Sequence, residues 1–399
     1  MAIPFDINGF EAAGACVFLL LFIVLVVVNG RRMRVLKKWR ASGSYAVSGA
    51  SETLPPLSVI VCAYAGDAET LGRNIPMLMN QDYPDFEVIV VDADNDDEVS
   101  DALTRLAIQY PSLRSTFIPQ SSANVSKKKL AVTLGVKAAK NDFVLVTSAV
   151  CVPEGGLWLK AMGRHFDSGA EIVIGHTVVD PSCDLSFGRR YRSFDRLAEA
   201  ARYLAAAARG NMIRGNGNNV AYAKHLFYEN KGFSSSLNLK YGDDDIFLCE
   251  MAERANATAI EISPESILTE NRADYPNAFK TDKQHRYFTM RHIHGGMKRL
   301  NFESAAFYAF TFLALAAIGY AAGLYLQEFA WMKSVIVGGG AFVFWLAEML
   351  VFISASRSEA KILGERRLLF CLPLFRLLRP IVNAVITFRA SEAKNYTWE

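Results

Sequence analysis

Residues 57–97 read LSVIVCAYAGDAETLGRNIPMLMNQDYPDFEVIVVDADNDD. Two apolar runs rich in β-branched residues, LSVIVCAY and FEVIVVDAD, bracket a helix-like stretch, ETLGRNIPMLMNQ, so the segment reads strand, helix, strand. The alternation continues downstream. DEVSDALTRLAIQ and KKKLAVTLGVKAAK have helical patterns, and FVLVTSAV (143–150) and AEIVIGHTVV (170–179) are further runs of strand length. Strands that are apolar on both faces and alternate with helices predict an α/β fold, a mostly parallel sheet with helices on both faces. In such sheets ligands sit beyond the carboxyl ends of the strands. The first strand is followed by AYAGDAETL rather than GxGxxG, and no GxxxxGK[ST] occurs, so neither a dinucleotide-binding unit nor a P-loop is supported.

The apolar fraction, 51% of 399 residues, is high for a purely soluble chain, and the excess lies at the two ends. Ala12 to Val28 carries no charge and is followed by the basic cluster RRMRVLKKWR, which places that flank in the cytoplasm and the N-terminus outside. Asp6 and Glu11 precede the run, unlike the basic start of a cleaved signal. Ala305 to Leu326 and Trp331 to Ile353 are separated only by QEFA and read as a hairpin that crosses and returns, interrupted by Lys333 and Glu348 alone. The basic segment SRSEAKILGERR after it agrees with a cytoplasmic return. Leu368 to Phe388 holds Arg376 and Arg379 at the spacing of one helical face and two prolines, and it reads as an interfacial helix rather than a fourth span. Gly43 to Pro56 lacks periodicity and reads as a tether. The expected division is an anchor at 1–30, a basic segment and linker at 31–56, a cytoplasmic domain at 57–300, a transmembrane hairpin at 301–355 and an interfacial tail at 356–399.

A formal net charge of +3 is too small to argue for a nucleic-acid partner, and the local basic clusters fit the anionic inner leaflet. The six cysteines form no CxxC pair and no His lies at zinc spacing, which agrees with a reduced cytosolic domain.

SVIVCAY, NQDYPDFEVIVVDADNDD, KKKLAVTLGVKAAKNDFVLVTSAVCVP, GNGNNVAYAKHLF, GDDDIFL and KQHRYF, in that order, resemble the membrane-associated family 2 glycosyltransferases of the GT-A (Rossmann-like) fold. The resemblance runs from about Leu57 to about His294. It implies a nucleotide-diphospho-sugar donor at the sheet's carboxyl edge, with Ala63, Tyr64 and Asp67 beside the nucleotide and Asp92 and Asp94 toward the base and ribose. It places Lys128 and Lys129 at the diphosphate, Gly217 and Asn219 of GNGNNVAYAK at the sugar or acceptor, and His285 and Arg286 at the leaving diphosphate. In GDDDIFL it implies a general base that deprotonates the acceptor hydroxyl, Asp243 first, with Asp244 and Asp245 beside it. Read without the resemblance, the acids also serve as helix N-termini, the lysines as a solvated turn, GNGNN as an ordinary turn and KQHRYF as a basic interfacial face. The implied enzyme is a hexosyltransferase of surface polysaccharide or glycolipid synthesis. It would be multi-pass in the bacterial inner (cytoplasmic) membrane, with a lipid-linked or glycan acceptor, membrane lipids and another glycosyltransferase as partners.

One departure from the family pattern is sharp. Its members end the strand corresponding to FVLVTSAVCVP in a DxD triplet whose carboxylates hold Mg²⁺ or Mn²⁺, and here Ser148, Ala149 and Val150 stand at those positions. Valine offers a hard cation nothing and serine only a neutral hydroxyl, so no metal ligands are assigned. Three readings stay open: catalysis with side-chain cations in place of metal, an ion held by other acids, or an inactive pseudo-glycosyltransferase that binds nucleotide-sugar or lipid and scaffolds an active partner.

Overall fold

The computed structural model describes residues 8–48, 54–119, 125–179, 186–271, 276–328, 330–365 and 371–389. Helix α1 (Gly9–Ser48) leads to β1 (Leu57–Ala63), α2 (Ala68–Met79), β2 (Phe86–Asp92), α3 (Asp97–Gln109), β3 (Leu113–Phe117), α4 (Lys127–Ala138) and β4 (Phe143–Ser148). Next come β5 (Cys151–Pro153), α5 (Trp158–Asp167), β6 (Ile172–Ile174), β7 (Thr177–Val179), α6 (Phe187–Ala207), β8 (Val220–Ala223), α7 (Lys224–Glu229) and α8 (Ile246–Ala252). The chain closes with β9 (Thr258–Ile260), β10 (Leu268–Glu270), α9 (Pro276–Thr289), α10 (Gly296–Glu328), α11 (Trp331–Ser334), α12 (Gly340–Ile362) and α13 (Leu372–Arg389).

The main sheet runs β3-β2-β1-β4-β8-β6-β9, and only β8 is antiparallel to its neighbours. Alternation along β1 explains its unbroken apolar run. Leu57, Val59, Val61 and Ala63 face one core with Leu71, Ile75 and Val99 from α2 and α3, while Ile60 and Cys62 face the other with Ala131 and Val136 from α4. Strands β1, β2 and β4 are buried on both sides, as the interior of a parallel sheet requires. Helix α4 lies close on β1 because Gly135 has no side chain: a Cβ there would stand 2.3 Å from Ile60 Cγ2.

Four expectations change. The run 143–150 holds one strand, β4, but 170–179 is not a single strand, since β7 leaves the main sheet and, with β5, pairs with β10 in a small second sheet. Strand β3 carries no apolar run, because on this edge only Leu113 is buried. The tether begins later, since α1 continues through the basic cluster to Ser48, elongation of a formed helix being cheaper than breaking it. Arg376 and Arg379 turn inward: Arg376 makes two 2.6 Å hydrogen bonds to Glu348, and Arg379 meets Asp195 at 2.9 Å and Glu199 at 2.6 Å.

Among the described residues three helical stretches are long and apolar enough to cross a membrane, Gly9–Ser42, Asn301–Leu326 and Trp331–Ile362. At one end of the bundle Glu11 pairs with Lys333 at 2.6 Å and accepts from Tyr320 at 2.6 Å. At the other, Arg32 holds Glu359 at 2.7 Å and Glu303 at 3.0 Å. The turn between Glu11 and Arg32 rises about 30 Å, the thickness of a hydrocarbon core. The described cysteines, 16, 62, 151, 249 and 371, form no disulfide with one another, and Cys183 lies outside the described residues.

Candidate active site

The carboxyl ends of β1 and β4 open into a cavity of about 680 Å³. Tyr64 and Asp67 line it from the turn after β1, where Asp67 Oδ2 accepts from the Tyr64 N–H at 2.8 Å. Burial raises the Asp67 carboxyl above its ordinary value. From the first turn of α4 comes Lys128, whose Nζ lies 2.8 Å from Asp243 Oδ2.

The three consecutive acids precede α8, and each has a different environment. Asp243 is buried, which raises its carboxyl, but the Lys128 ammonium more than offsets this and holds it below the usual range. Asp245 is tied down on both oxygens, accepting from Thr289 Oγ1 of α9 at 2.6 Å and meeting Arg214 Nε at 2.8 Å. Among the described residues the Asp244 carboxyl has only the more distant Arg214 Nη2 at 3.8 Å. Burial, then the charges of Asp245 and Asp243, push its carboxyl up to about 7. Crowding three carboxylates thus sets Asp243 against Lys128, Asp245 against Arg214 and Thr289, and leaves the middle one with a raised carboxyl.

On the opposite wall α9 contributes His285 and Arg286. The His285 ring stacks on Tyr241 with centroids 3.4 Å apart, and burial lowers its pKa to about 4. With that lowered pKa His285 is neutral near pH 7. Arg286 lies beside Glu199, 3.5 Å away.

Residues 55–287, more than half of the chain, match the family described as glycosyltransferase like family 2. The chain belongs to that family. A mannosyltransferase from Pyrobaculum calidifontis, solved with GDP-Man and Mn²⁺, shares the fold with a TM-score of 0.54 at 16% identity, over 94% of this chain and 100% of that one. TarS 1–349 of S. aureus, solved with UDP-GlcNAc, aligns at 14% identity with a TM-score of 0.41, over 85% of this chain and 91% of that one. No curated protein matches the chain. The sheet is thus of GT-A type, and the chain is a glycosyltransferase.

In this family 2 glycosyltransferase the cavity gathers Tyr64, Asp67, Lys128, Ser148, Gly217, Asp243, Asp244, Asp245, His285 and Arg286. Five expected residues do not line it. Lys129 is buried and donates to the carbonyls of Leu239 and Tyr241 at 2.9 Å each, so it braces the loop before the acids instead of meeting a phosphate. Asn219 is also buried, donating at 2.9 Å to the carbonyls of His176 and Ser266 and accepting from Trp158. Asp92 shapes the turn after β2 by accepting from the Asp94 and Asp96 N–H groups, and Ala63 is packed inside β1. Asp94 pairs with Lys127 and accepts from the Ala65 N–H at 2.9 Å, joining the turns after β1 and β2.

Other cavity residues carried no recognisable pattern. Thr289 and Glu199 are scattered in sequence and converge only through the fold. His176 sits between β6 and β7, inside what reads as one strand; it is 4% exposed, and its ring nitrogens have no partner among the described residues. Burial lowers its pKa to about 4, so it faces the cavity as a neutral donor and acceptor.

Gly217 is a point of close approach in the cavity wall. A Cβ there would stand 2.8 Å from Asp244 Cβ and 2.9 Å from Lys128 Nζ. Lysine can swing away, but a Cβ is fixed to its backbone, so Gly217→Ala must shift the acidic loop. A displacement near 1 Å costs about a hundredfold in rate. Initial rates of nucleotide release should fall by that order with the melting temperature nearly unchanged, and an unaltered rate would show that the approach has no role.

Proposed function

We propose that this chain is an inverting hexosyltransferase that moves a sugar from a nucleotide-diphospho-sugar to a lipid-linked or membrane-presented acceptor. The process would be surface polysaccharide or glycolipid assembly at a bacterial cytoplasmic membrane. The observation that carries the reading is Asp244, a carboxyl raised to about 7 in the cavity at the sheet's carboxyl edge, between Lys128 and Arg214. A general base works best when its pKa lies near the working pH. Asp243, the first expectation from sequence, is a weaker base because Lys128 stabilises its ionised form.

In the proposed step the acceptor hydroxyl gives its proton to Asp244 while its oxygen bonds to the anomeric carbon. The bond from that carbon to the diphosphate oxygen breaks, and the nucleoside diphosphate leaves from the opposite face. One base without a separate nucleophile supports inversion. A membrane-held acceptor is supported by α9, which lines the cavity and is followed at once by α10, one of the three membrane-length helices.

The family's divalent ion does not fit the residues present. Among the described residues no group of three or more His, Cys, Asp or Glu is placed to hold a metal ion, and at the end of β4 only Ser148 offers a side-chain oxygen. The same loss is the observation in favour of a second reading, an inactive relative that binds nucleotide-sugar or lipid and scaffolds an active transferase. The full-length protein in nanodiscs of native lipid extract, given UDP- and GDP-sugars, separates the two. Nucleotide release with a lipid-extractable labelled product supports transfer, whereas binding without turnover favours the scaffold.

A further inference from the structure

Resting on that reading, we propose that the Lys128 ammonium does the electrostatic work of a divalent cation at the donor diphosphate. The first support is the chemistry of the strand end. Val150 has no side-chain oxygen, and Ser148 provides one neutral hydroxyl where a hard cation asks for carboxylates. Of the carboxylates nearby, Asp243 is committed to Lys128, Asp245 to Arg214 and Thr289, and Asp94 to Lys127, while Asp244 is the proposed base. Glu270 is brought close by register, opposite Cys151 in the β5–β10 pair, but it is a single carboxylate.

The second support is where Lys128 lies. Its ammonium reaches the cavity from α4, under the space that Gly217 leaves open. Its charge is felt by Cys62 and Tyr64 at the end of β1 and by Cys151 just past the missing acids. It therefore stands between the altered strand end and the acidic loop, where a donor diphosphate must pass its charge to the leaving group. Lys127 and Lys129 beside it do not line the cavity and turn instead to Asp94 and to loop carbonyls.

The third support is charge balance. A DxD pair brings two negative charges and a divalent ion cancels them, so removing both together leaves the diphosphate facing the same net charge. One ammonium at the cavity wall then supplies attraction at the diphosphate that the ion would have supplied. Burial disfavours that ammonium, but Asp243 and Asp244 outweigh it and keep Lys128 protonated well beyond the ordinary range.

The test is nucleotide affinity, not turnover. Titrating the full-length protein in nanodiscs with UDP and with GDP, in EDTA or in Mn²⁺, should give affinities within about threefold of each other for the better ligand. In EDTA, Lys128→Met should weaken binding by about tenfold or more, and Lys128→Arg should restore most of it. The double variant Ser148→Asp, Val150→Asp should acquire a Mn²⁺ dependence of about tenfold, because it recreates the carboxylate pair. Mn²⁺-dependent binding by the unaltered protein that Glu270→Gln abolishes, or Lys128→Met binding like the parent, overturns the inference and leaves the transferase reading standing. Binding of neither nucleotide under any condition overturns that reading itself.

Discussion

Asp244→Asn lowers the sugar-transfer rate by about two to four orders of magnitude while nucleotide affinity stays near that of the parent, the loss associated with removing a general base. The pH profile carries the sharper signature. A carboxyl raised to about 7 is protonated below that pH and cannot take the acceptor's proton, so the rate falls with decreasing pH below about 7 and levels off above it. In Asp244→Asn the residual rate should lose this dependence. Asp243 predicts a different profile, because the Lys128 ammonium holds its carboxyl below the usual range and it stays ionised through neutral pH. A flat profile from pH 5 to 8, with Asp243→Asn as the more damaging change, would assign the base to Asp243 and refute the role given to Asp244. The measurement is initial rate against pH at saturating donor for both variants.

The difference between these neighbours shows where sequence stops being legible. Strands β1 and β2 could be read because both faces are buried, so nearly every residue is apolar. Strand β3 could not, since an edge strand with one buried residue looks like any polar segment. The apolar run 170–179 hides a change of sheet at Gly175 and His176, because both halves bury their side chains, though in different sheets. Three successive lysines look alike in sequence, yet a helix turns each about 100° from the last. That rotation sends Lys127 to Asp94, Lys128 into the cavity toward Asp243, and Lys129 to the carbonyls of Leu239 and Tyr241. The family pattern brought attention to the correct segments. Which member of each segment faces the cavity depends on packing that the pattern does not encode.

Arg376→Met should cost about 3–5 kcal/mol, the penalty for removing one partner of a buried ion pair. Arg376 is the bidentate partner of Glu348, both contacts at 2.6 Å, and Glu348 is fully buried on α12. The guanidinium lies 4.0 Å from the ring centroids of both Phe307 and Phe352, so the charge is held by aromatic faces as well as by the carboxylate. Without it Glu348 is left as an uncompensated acid in a membrane-length helix. The double variant Arg376→Met, Glu348→Met should recover most of the loss, since replacing both members of a buried pair by apolar residues is often neutral. Melting temperature in detergent or nanodiscs measures both, and a single variant as stable as the parent, or a double variant no better than the single, would refute the assignment. The consequence extends to the site. Ile386 of α13 packs with Tyr287 and Met290, and Tyr287 follows Arg286 on the helix that walls the cavity. Loosening α13 removes support from that wall, so the transfer rate should fall in the single variant and return in the double, although neither residue touches the cavity.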